Sequence, residues 1–199
     1  NILMDEYLNN SDDLLVIKNI FKLLKLVREN NYNKEFTYSF LSIGRSFLFN
    51  LDDNYLFEVI KNKSYNETPI MEKINLIIND IDNLAISDIL DRIIEIFDYY
   101  NLLIKIGNIN ESIIRIDYLY DLANNLSALG YDYLSFSDYI EKIFEDERDI
   151  RFSLNSESGN SVKIMSIHKS KGLEYHICYF PGLTPKFNDS DMKEKFIYD

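Results

Sequence analysis

The chain has 199 residues, of which 46% are hydrophobic, enough to bury a sizeable core, and its six glycines and three prolines argue against a loop-rich β-protein. A formal net charge of −12 makes the whole a poor stand-alone nucleic-acid binder, because phosphate contacts dominate such affinity. One cysteine, Cys178, excludes an intramolecular disulfide, and the lack of a signal peptide or of any apolar run near ~20 residues leads to the expectation of a cytoplasmic protein without a membrane partner.

In chain order, Asn10–Asp13 offers N-cap residues ahead of an amphipathic run from Leu14 to Arg28, so the chain is expected to begin with helices. Glu29–Lys34 reads as a loop and Phe36–Phe49 as a helix followed by a turn. Lys61–Glu67 is a polar break, and Pro69 fits the first turn of a helix with Ile70, Ile74, Ile77, Ile78 and Ile81 on its apolar stripe. Ser87 is expected to cap the next helix, and Tyr99–Gly107 to close it. A long helix over Asn110–Gly130 turns Ile113, Ile116, Leu119, Tyr120, Ala123, Leu126 and Leu129 inward and stops at Gly130. Ser135 or Ser137 caps the last helix, whose stripe is Phe136, Tyr139, Ile140, Ile143 and Phe144. Five to seven helices thus precede a Ser/Asn/Gly linker at Asn155–Asn160.

Beyond the linker the pattern changes. Val162–Ile167 reads as a buried strand, and Tyr175–Phe180 as a second one that takes Cys178 into its packing. Between them His168, Lys169 and Lys171 fall within four residues, beside the hydroxyls of Ser166 and Ser170. Gly172 permits a close backbone approach. Such a loop at the end of a strand suits an anion. Residues 161–199 hold six basic and five acidic side chains, so residues 1–160 carry 15 against 28, or −13. Anion binding is therefore expected locally, at the 163–171 loop.

The string IMSIHKSKGLEY, with His168, Ser170, Lys171, Gly172, Leu173, Glu174 and Tyr175 in register, resembles motif V of the UvrD/Rep/PcrA group of superfamily 1 DNA helicases. Ser166 stands where that group usually has threonine, and His176 where proline is frequent. Arg45-Ser46-Phe47-Leu48-Phe49 followed by Leu51-Asp52-Asp53 is similar to a string of the AddA branch, with Phe47 in the place of a proline. Pro181-Gly182-Leu183 and Lys186–Asp189 resemble the AddA-type continuation. The resemblance implies a mainly α architecture: a helical 2B-like domain over 1–155, a linker over 156–160, and over 161–199 a small α/β piece with two strands of a RecA-like 2A domain. It implies that Ser166 and His168 meet phosphates of single-stranded DNA or of a duplex junction, with Lys169 and Lys171 contributing. Gly172 and Glu174 then lie on the nucleotide side.

ATP and Mg²⁺ are implied for a parent helicase or helicase/exonuclease, as is an AddB-type partner subunit. The sequence shows no G-x-x-x-x-G-K-[ST] phosphate loop, no D-E-x-x-D string and no nuclease module, so this chain alone is expected to lack catalytic residues, bound cofactor, metal site and ATPase activity. The rival expectation is a non-catalytic helical module that docks protein partners through its acidic surface. A hydrolase built on Ser166 or Ser170 with His168 has no nucleophile elbow to support it.

Overall fold

The computed structural model describes residues 2–3, 6–7, 11–107, 109–145, 151–152, 162–163, 170 and 174–179. Eight α-helices form its body: α1 Asp12–Arg28, α2 Lys34–Arg45, α3 Asp53–Asn62, α4 Pro69–Ile78, α5 Ile86–Ile96, α6 Tyr99–Leu103, α7 Ile109–Ala128 and α8 Tyr133–Glu145. Short 3₁₀ turns at Tyr65–Glu67 and Ile81–Asn83 lead into and out of α4.

Helix α1 is the axis. Leu14, Val16, Ile17, Ile20, Phe21, Leu23, Leu24 and Leu26 are all buried, so it is apolar around most of its circumference and packs on α2, α4, α7 and α8. Phe136 of α8 meets Phe21 edge-on at 5.1 Å. Phe36 and Phe40 of α2 both set their rings against Tyr65, at 4.9 and 5.1 Å. Lys22 joins three helices by pairing with Glu35 of α2 at 3.0 Å and Glu141 of α8. Burial opposes its charge, but the two carboxylates outweigh burial and raise its pKa.

Local signals set the helix ends. Asn33 accepts from the Phe36 amide, Asp52 from Asn54 and Tyr55, and Thr68 from Met71 ahead of Pro69. Gly130, at φ +87°, takes the left-handed turn that ends α7. Two expected caps are corrected. Helix α5 starts one turn earlier than Ser87 requires: Ala85 is its N-cap residue, and Asp88 accepts the Ala85 amide. Helix α8 is capped by Asp132, which accepts from Ser135 at 2.9 Å, because a carboxylate is the better acceptor at that position. Leu129 and Ile113 do not face inward. Leu129 lies past the end of α7 and is 75% exposed, and Ile113 sits on the solvent edge of the stripe.

The chain does not open on a helix. Strand β1, Ile2–Leu3, pairs parallel with β4, Val162–Lys163, and β2, Glu6–Tyr7, pairs antiparallel with β3, Arg151–Phe152. A parallel pair needs a crossover connection. Here the whole helical body supplies it, so the body is bracketed by strand pairs at its entry and exit. The mainly helical class expected from sequence holds. The expected pair of C-terminal strands does not form among the described residues: β4 is two residues long, and residues 174–179 form no strand. Ile177 and Tyr179 are 91% and 87% exposed, and Cys178 is exposed rather than packed. A strand needs ladder partners on its flanks, and no described element lies beside this stretch to supply them. The linker at 156–160 lies outside the described residues.

Candidate functional site

Strand β4 starts the segment that carries the motif. Its residues run beside β1, with Ile2 opposite Val162 and Leu3 opposite Lys163. Ser166, His168, Lys169, Lys171 and Gly172 lie outside the described residues. Ser170 is half-buried with helical backbone, where the sequence reads as a loop. Glu174 is exposed, so its carboxylate is open to a ligand. Tyr175 and His176 follow it on the surface.

The second string singled out in the sequence is fully described. Arg45 ends α2 and Asp53 begins α3, and their side chains meet at 2.7 Å across the corner between the helices. The Leu51 amide donates to the Gly44 carbonyl at 2.8 Å, closing the turn, while Asn50 takes a left-handed φ of 48°. Phe47 packs its ring edge-on to Tyr99 at 5.3 Å. The string is thus a tight helix corner anchored on the core. Both partners of its ion pair are more than half exposed, so the pair itself adds little stability.

Sequence reading missed the buried polar node beside this corner. Asp13, 1% exposed, receives Arg115 Nε at 2.9 Å and Nη2 at 2.8 Å. Arg115 also donates to Ser112 Oγ at 3.2 Å. The Tyr99 hydroxyl donates to the Asp13 carbonyl oxygen, and burial, helped by the nearby Asp13 charge, pushes that phenol well up. The node ties α1, α6 and α7 together. Its only sequence signal is an arginine at a position of the α7 pattern next to inward-facing Ile116. Among the described residues no cluster of three His, Cys, Asp or Glu could hold a metal, and no described helix is long and apolar enough to cross a membrane.

No protein-family model matches the chain. Curated relatives do. The AddA protein of Lactobacillus helveticus, an ATP-dependent helicase/nuclease, is 24% identical along 98% of this chain. The chain is similar to a segment of AddA-type helicase/nucleases. The AddA of Lachnoclostridium phytofermentans is 38% identical over 37% of the chain, and that of Bacillus cytotoxicus 30% over 57%. The chain spans 18% of the length of the Lactobacillus helveticus protein, and 6% and 9% of the other two.

Proposed function

We propose that the chain is part of an ATP-dependent DNA helicase, of the AddA helicase/nuclease type, that works in DNA repair and recombination. The helical body, within residues 1–155, is a 2B-like insertion, 156–160 is its linker, and 161–199 returns to a RecA-like 2A domain. The observation that carries this reading is the dense register of IMSIHKSKGLEY within a chain that aligns along nearly all its length with an AddA protein. The pairing of β1 with β4 across the intervening helices supports it, because an insertion must leave and re-enter one sheet at neighbouring strands.

In this reading Ser166 and His168 bind backbone phosphates of the tracking strand through a hydroxyl and an imidazole. Lys169 and Lys171 add charge. Gly172 lets the main chain approach, and Glu174 accepts from the ribose of the nucleotide. One short connection then touches both ligands, so a shift on one side is felt on the other. ATP and Mg²⁺ belong to the parent, whose phosphate loop lies outside this sequence; the parent works in the cytoplasm with an AddB-type partner. Exposed Ile177 and Tyr179 fit a strand whose neighbours are supplied by the rest of that sheet.

The test is oligothymidylate binding by the full-length parent across a salt series. His168→Ala should weaken binding of every sequence alike and reduce the salt slope by about one phosphate contact. An unchanged affinity and slope would remove the loop from the DNA track.

A further inference from the structure

Independently of that reading, we propose that the helical body carries a docking cleft for a short acidic peptide with an apolar side chain. The cleft has a volume of about 670 Å³ and lies where the first turns of α1, the C-terminal half of α2 and the α6–α7 connection converge. Its floor is apolar, formed by Leu15, Leu41, Phe47 and Ile106, all half-buried. Arg45 and Lys105 flank it, and both are exposed. Tyr38, 62% exposed, adds an aromatic face.

Charge commitments distinguish this place from the rest of the body. Most cations there face a carboxylate: Lys22, Lys25, Arg28, Arg92 and Arg115 are all in ion pairs. Lys105 forms no ion pair among the described residues, and its Nζ reaches the Phe47 carbonyl at 3.5 Å, the limit of a hydrogen bond. Arg45 meets Asp53 through Nε, which leaves its two terminal nitrogens for a ligand. The cleft therefore offers two cations beside an apolar floor in a chain of net charge −12.

That chemistry favours a peptide over a nucleic-acid strand. Two cations satisfy one or two carboxylates, but polyphosphate affinity needs several neutralised charges. Asp12, also at the cleft, repels a phosphate chain and can accept a peptide N–H. A buried apolar side chain flanked by charge-assisted hydrogen bonds is a familiar basis for peptide recognition.

The experiment is fluorescence anisotropy of a labelled hexapeptide, three aspartates and a glycine followed by two phenylalanines, titrated with the 199-residue chain. Saturable binding is expected. Lys105→Glu and Arg45→Glu should each weaken it by about tenfold, and Lys105→Arg should hold it within about twofold. Circular dichroism should be unchanged in all three variants, since both side chains are exposed. The proposal is overturned if binding does not saturate, if both reversals leave it unmoved, or if oligothymidylate displaces the peptide from the wild-type cleft. That last result would assign the cleft to a nucleic-acid strand.

Discussion

Replacing Arg115 by methionine should be among the most damaging single changes in the helical body. The guanidinium is 9% exposed and the Asp13 carboxylate 1%, with nitrogen–oxygen contacts of 2.8, 2.9 and 3.2 Å. Methionine fills most of the volume but leaves the carboxylate buried and unpaired. Breaking a buried pair from one side costs about 3–5 kcal/mol. With a urea slope of about 2 kcal/mol/M, the unfolding midpoint should fall by about 2 M. The deficit should shrink as pH falls, because protonation neutralises the stranded carboxylate. Removing both charges in Asp13→Leu/Arg115→Met should restore most of the loss, since an apolar pair of similar volume carries no desolvation penalty. Chemical denaturation followed by circular dichroism measures all of this. A loss below about 1 kcal/mol for Arg115→Met, or a double variant worse than the single one, would refute the reasoning.

Asp132→Ala should cost about 1 kcal/mol at neutral pH by removing the cap of α8. The Ser135 amide holds the Asp132 carboxyl below its ordinary value, so its contribution is present above about pH 4 and is lost as pH falls through the lowered value. A deficit that persisted at pH 2 would show another cause. Phe136→Ala should cost about 3–5 kcal/mol by opening a cavity beside Phe21, measured in the same denaturation assay, and a cost near zero would mean that α8 does not pack on α1. The purified chain should show no DNA-stimulated ATP hydrolysis in a coupled assay; measurable turnover would overturn its reading as a part of a larger ATPase.

Much of the body was legible because helix periodicity and caps are local. Asn33, Thr68 with Pro69, and Gly130 each declare an end, and the isoleucines of α4 declare a face. Ser87 and Ser135 misled for the same reason. Several polar residues crowd each start, and the one that caps is chosen by the backbone geometry rather than by residue type. Strands β1 and β2 were missed because pairing partners some 145–160 residues away leave no periodic trace in two residues. Tyr175–Phe180 read as a strand on its alternation, but alternation states only what a partner would bury, and no described element is there to bury it. Lys105 gave no signal at all. Its meaning comes from the fold, which sets a lysine of the α6–α7 connection beside the arginine that ends α2. The motif residues at 166–172 were read by resemblance, and the structure adds the strand that precedes them and the exposed carboxylate that follows.

The most direct measurement is ATP-driven unwinding of a forked DNA duplex by the full-length parent carrying His168→Ala and Lys171→Ala. The account predicts loss of unwinding by about a hundredfold or more, with the protein still folded, because the loop that joins strand to nucleotide has lost its phosphate contacts. Unwinding at the wild-type rate would contradict it and leave the segment with no part in the motor.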